Sequence, residues 1–208
     1  MAEAEAVFRE AEEIQKKNQP QLPLLYSLGG FRYCDLLLSQ SKYTEVQHRV
    51  DQTLEIANKY FGKGPGLLDI ALDNLSLGRA HLLQSQYGPN HPFTESANYL
   101  NLAVDGLRQA GDQSYIPRGL LARAEFYRVT GALDKAQKDL DEAFSIATRS
   151  GMGLYLADCH LEYARLALAR PHPNPPLKGE GDEARKHWEI AKKMIDEMGY
   201  HRRDKEVE

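Results

Sequence analysis

At 208 residues the chain is long enough for one or two ordinary domains or for a single elongated array, and its 42% hydrophobic content is that of a folded protein. A formal charge of -4 argues against nucleic-acid binding through a basic face, because neutralising phosphates needs clustered Lys and Arg. No apolar run approaches the roughly 20 residues that span a bilayer, and the acidic start Met1-Ala-Glu-Ala-Glu lacks the basic flank and apolar core of a secretion signal, so no membrane contact and a cytoplasmic location are expected. Cys34 and Cys159 lie inside helical patterns without a ligand partner at metal spacing; they are expected to be reduced and buried, with no disulfide, metal or cofactor.

In chain order, apolar residues at helical spacing predict nine helices, at about 2–17, 22–40, 43–60, 67–86, 93–110, 114–130, 132–150, 153–170 and 182–198. Pro20, Pro23, Pro65, Pro92 and Pro117 fall at or just before helix starts, where a missing amide proton costs little, and Gly88, Gly111, Gly131, Gly151 and Gly199 follow helix ends. Residues 119–147 show the unit most clearly. Leu120, Ala124 and Tyr127 recur up to Gly131, and then Leu133, Ala136, Leu140, Ala143 and Ala147 line a second helix whose other face carries Asp134, Lys135, Lys138, Asp139, Asp141 and Glu142. Two helices around one glycine make an antiparallel hairpin.

The second helix of that hairpin repeats. A small residue, a large apolar one four later and a small one three after that recur as Ala4/Phe8/Ala11, Val46/Val50/Thr53, Ser96/Leu100/Ala103, Ala136/Leu140/Ala143 and Ala184/Trp188/Ala191, with first members 42, 50, 40 and 48 residues apart. Such triplets share one helical face, where the small residues admit a neighbouring helix and the large one fills the gap. Three connections explain the uneven spacing: Phe61 to Gly66, Tyr87 to Pro92, and the proline- and glycine-rich run 171–181, expected to be a flexible insertion. That run also resembles peptides encoded by dispersed bacterial repeat elements.

With Leu77-Gly78 and Ser85 in one first helix, Tyr127 and Gly131 in another, the triplets, and segments such as LYSLGGFRYCDLLL (Leu25 to Leu38), IPRGLLARAE (Ile116 to Glu125) and LADCHLEYARLAL (Leu156 to Leu168), the chain resembles long-period tetratricopeptide (TPR) repeats, the bacterial type found beside NACHT or STAND signalling ATPases. The resemblance implies an all-α fold, a right-handed α-α superhelix or TPR-like solenoid of about nine helices spanning residues 1–208, with a protein or peptide partner bound on its concave surface. It also implies, as an alternative, a sensor or autoinhibitory arm of a larger ATPase. Arg123 and His160 depart from the pattern, standing where small or apolar residues are common. The leading helix has the second-helix signature but no first helix, so the chain is expected to be a piece of a longer solenoid with bare ends open to self-association.

First helices of stacked hairpins line the concave side. Their outward faces are expected to carry Asp35, Arg79, Arg118, Glu125 and Arg128, with Leu38 and Leu82 beside them, a mixture that suits a peptide or a partner helix. Catalysis is not expected. Asp158, His160 and Glu162 look like acid-base residues, but i, i+2 side chains point about 200° apart on a helix, so a surface Asp and Glu flanking a partly packed His is the expectation. Gly62 to Gly66 lacks the strand and Gly-Lys-Ser/Thr of a phosphate loop. Asn74-Leu-Ser is a mid-helix glycosylation triplet without meaning, and residues 200–208 are expected to be a frayed tail.

Overall fold

The computed structural model describes residues 2–60, 66–88, 92–170, 182–200 and 203–207. Most of the two turn-rich connections (61–65 and 89–91) and the proline-rich run 171–181 lie outside them. Among the described residues the chain is helical with no strand: α1 (Ala2–Asn18), α2 (Ser27–Ser39), α3 (Tyr43–Tyr60), α4 (Leu67–Tyr87), α5 (Thr94–Ala110), α6 (Ile116–Val129), α7 (Leu133–Arg149), α8 (Gly153–Ala169), α9 (Asp182–Met198) and a four-residue α10 (Asp204–Val207).

The local reasons are visible at the helix ends. Gly111, Gly131, Gly151 and Gly199 take φ of 74°, 80°, 64° and 61°, the left-handed conformation that closes a helix. Gly88 instead is extended. The expected helix from residue 22 begins only at Ser27, because Pro23 disfavours helix at Leu22 and α1 satisfies the intervening backbone. The Gln15 amide donates to the carbonyls of Leu22 (2.9 Å) and Leu24 (2.7 Å), and the Leu25 amide donates to Glu12 (2.9 Å). Gly30 is required there: a Cβ would lie 2.4 Å from the Leu25 carbonyl oxygen.

The chain forms two compact units, Met1–Asp112 and Gln113–Glu208. In the first, α2 packs on α3 and α4, α3 on α4, and α4 on α5, with α1 alongside α2. Its core joins Tyr33, Cys34, Leu37 and Leu38 of α2 to Val46 and Val50 of α3 and Leu77 and Ala80 of α4, and Phe8 of α1 stacks on Tyr33 at 4.9 Å. Eight consecutive residues of α4, Ala71 to Gly78, are buried, so this stretch of the helix is covered on all sides. Gly78 makes room for Leu100 of α5 and Gly106 for Ala71 of α4, which lets the two backbones approach closely. In the second unit α6 packs on α7 and α8, α7 on α8, α8 on α9, and α9 on α10.

The repeated seam is a packing feature. All three members of the triplets in α3, α5 and α7 are buried, as are Ala184 and Ala191 of α9, with Trp188 half-buried. The triplet of α1 is different: Ala4 is exposed and Phe8 and Ala11 are half-buried. α1 also exposes Val7 and Ile14. The frayed tail expected over residues 200–208 is corrected where it is described. Residues 203–207 are a docked turn, with Val207 buried at 4% exposure against Ala157, Leu161, Ala191 and Ile195.

Candidate interaction surface

Four of the five residues expected on a concave wall are engaged by neighbouring helices. In the first unit Arg79 of α4 donates to Asp35 of α2 at 2.6 Å, and Asp35 is buried. Leu38 and Leu82, expected beside them on the open face, are core residues at 5% and 1% exposure, and Leu38 belongs to the cluster formed with Val46 and Val50 of α3 and Leu77 and Ala80 of α4. In the second unit Arg118 of α6 donates to the Tyr155 hydroxyl of α8 at 3.1 Å and lies over its ring. Arg128 of α6 donates to Glu162 of α8 at 2.5 Å. Glu125 is half-buried on α6, near enough to Glu162 to disfavour a second charge there. The five therefore fall into two groups, one in each unit.

The second group belongs to a longer chain of ion pairs that the sequence did not reveal. Glu162 also accepts from Arg165 at 3.3 Å, Arg165 pairs with Glu206 of α10, Glu206 accepts from Arg203 at 2.5 Å, and Arg203 donates to Asp158 at 2.8 Å. These links join α6, α8 and the segment leading into α10. Two of the links join residues three apart on one helix or turn, while Arg128–Glu162, Arg165–Glu206 and Asp158–Arg203 lie 34, 41 and 45 residues apart, about one repeat, and that recurrent separation of opposite charges is the signal that could have found them. Glu162 is buried, which corrects the expectation of a surface carboxylate. Burial pushes its carboxyl up, while the hydrogen bond and charge of Arg128 pull it down. The outer members stay partly open, with the Arg165, Glu206 and Arg203 side chains 37%, 27% and 26% exposed.

Asp158 and Glu162, four residues apart on α8, share that ion-pair chain, whereas His160 stands apart from both. Asp158 faces Arg203 and Tyr200, Glu162 faces Arg128 and Arg165, and His160 Nδ1 lies 2.9 Å from His187 Nδ1 of α9. The ring centroids of the histidine pair are 5.1 Å apart, close to the sum expected when the two nitrogens point at each other, so one ring donates and the other accepts. Burial lowers the proton affinity of both rings, and for His160 the nearby His187 adds to it. Tyr163 stacks on His187 and donates to Asp141. Arg123, the other departure from the repeat pattern, has a clear role: it forks onto buried Asp139 of α7 at 2.7 and 2.8 Å. Asp139, expected on the solvent face of that helix, is drawn in by the guanidinium of α6.

The first unit holds a separate buried polar group. Arg49 of α3 forks onto Glu12 of α1 at 2.6 and 3.0 Å and lies 4.4 Å over the Tyr33 ring. Thr53 donates to Asp73 at 2.8 Å. Burial pushes the Asp73 carboxyl up to about 7, with Asp69 adding and the Thr53 hydrogen bond and Arg49 opposing. Both thiols are buried and free, Cys34 pushed up to about 11 and Cys159 to about 12 by burial. Among the described residues no group of three or more His, Cys, Asp or Glu is placed to hold a metal ion, and no helix is long and apolar enough to cross a membrane. Asn74 of the glycosylation triplet is buried, its amide donating to the Ile70 carbonyl. Comparison with protein-family models, curated proteins and solved structures finds no match to this chain.

Proposed function

We propose that the chain is a non-catalytic protein-recognition module built from TPR-like hairpins, which binds a peptide or helix of a partner on the face where its first helices adjoin. The buried small-large-small triplets of α3, α5 and α7, with the two small members buried in α9, support repeated hairpins, and within each unit every first helix packs on the next, α2 on α4 and α6 on α8. The observation that carries the binding reading is the ion pair that joins successive first helices within each unit. Asp35 with Arg79, and Arg128 with Glu162, set charges at fixed spacing on rigid elements, which favours selection of a partner by charge pattern more than by raw affinity.

The test keeps the pairs and reverses their pattern. The double variants Asp35→Arg/Arg79→Asp and Arg128→Glu/Glu162→Arg are immobilised beside the parent, and captured proteins are identified by cross-linking and mass spectrometry, with melting curves as the check on folding. A partner held by the parent, cross-linked to α2, α4, α6 or α8 and lost from a folded swapped variant, supports the proposal. Equal capture by parent and folded variants removes it.

A further inference from the structure

The recognition reading gains a specific site at the end of the second unit. On α8 and α9, Ala157, Leu161, Ala191 and Ile195 form a buried apolar cluster that Val207 of the chain's own 203–207 segment completes, with Trp188, Met194 and Tyr200 packed against it; without that segment the α8–α9 seam would be an open groove. That segment is held as a bound peptide is held. One aliphatic side chain, Val207, enters the apolar floor. Its carbonyl accepts from Lys192 of α9 at 3.1 Å, Glu206 pairs with Arg165, and Arg203 donates to Asp158 at 2.8 Å. The groove thus offers one acid, two cations and a small apolar floor, all from two long helices.

We propose that the α8–α9 groove is a peptide-docking site, plugged in cis by residues 203–207, whose partner ligand has the chemistry of that plug: an aliphatic residue preceded directly by a carboxylate and, four positions earlier, by a guanidinium. The inference rests on the recognition reading and deepens it. A four-residue helix anchored by one valine and a few partly open ion pairs is a weak plug. Tethering gives it an effective concentration of about millimolar, so a trans ligand competes only when it binds more tightly or when the plug is loosened.

The test uses the full chain and a fluorescent synthetic peptide with the sequence of residues 200–208. In the Val207→Asp chain the plug cannot enter the floor, and the peptide is expected to bind at least tenfold more tightly than to the parent, as read by anisotropy. A peptide carrying the same Val207→Asp change is expected to lose that binding. The chain's single tryptophan, Trp188, sits beside the groove, so its emission should shift when the plug leaves and return when the peptide fills the site. If Val207→Asp costs the chain its fold, Glu206→Arg takes its place, because it repels Arg165 and Arg203 at a partly exposed position. Equal binding of the peptide by the parent and a folded variant, or none by either, overturns the proposal. So does a parent that light scattering shows to be a dimer exchanging tails, which assigns the groove to a second copy. None of these results alters capture through the α2/α4 and α6/α8 ion pairs, so this site and the broader recognition reading fail separately.

Discussion

Asp73 shows how a single buried group sets a pH dependence. Its ordinary value is 3.8 and its folded value about 7, so between those limits the folded unit holds a proton that the unfolded chain has released. The stability it contributes is complete below about pH 4 and is lost as pH rises through 7. Asp73→Asn removes the ionised form while keeping an acceptor for Thr53. It should raise the melting temperature at pH 8, by an amount corresponding to roughly 2–4 kcal/mol, with the gain vanishing towards pH 4; thermal melts across that range check both sign and window. Nothing in the sequence marked this residue, since an Asp on a helix is normally solvated. It is buried because its stretch of α4 is covered on all sides. Arg123, Asp139 and His160 were equally opaque: the sequence showed that they break the repeat pattern or line a polar face, but only the approach of the neighbouring helix supplies their partners.

At the scale of the element, periodicity and punctuation carried far. All-helical structure, the left-handed glycines after α5, α6, α7 and α9 and the buried triplets of α3, α5 and α7 were legible because each rests on local spacing and on conformations few residues adopt. The start of α2 was not, because it is decided by Gln15 and Glu12 reaching across from α1. Close approach of two helices was likewise only hinted at by Leu77-Gly78. A Cβ on Gly78 would stand 2.7 Å from Leu100 Cγ and 3.0 Å from its backbone nitrogen, so neither neighbour can yield as a flexible chain end could. Gly78→Ala gains roughly 1 kcal/mol of helix propensity. It should nonetheless lower stability by about 1–3 kcal/mol through overpacking of α4 against α5. A urea midpoint that rises instead would show that the two helices separate without cost.

For the molecule as a whole, each unit contains one buried thiol, Cys34 in Met1–Asp112 and Cys159 in Gln113–Glu208, and each thiol therefore reports the opening of its own unit. Neither should react with a thiol-exchange reagent before urea opens the structure, since burial also suppresses the thiolate. The two should then diverge with pH. Acidification from pH 7.5 to 5 strengthens the first unit through Asp73. It weakens the second through His160 and His187, whose depressed proton affinity gives stability that is present above their ordinary 6.5 and declines below it. Groups near that pair are Tyr163 of α8, Asp141 and Phe144 of α7, and Glu183 and Lys186 of α9, of which Glu183 opposes the effect. Single-cysteine variants labelled with 4,4′-dithiodipyridine should show the Cys34 urea midpoint rising at pH 5 and the Cys159 midpoint falling.

The guanidinium-carboxylate links between alternate helices bear on how the protein is made. Arg128 leaves the ribosome 34 residues before Glu162, and Asp158 leaves 45 before Arg203. A growing hairpin can therefore collapse on its own, but its charges stay unmet until the helix after next emerges, so nascent chains should acquire protease resistance in steps of about forty residues, each step completing the one before.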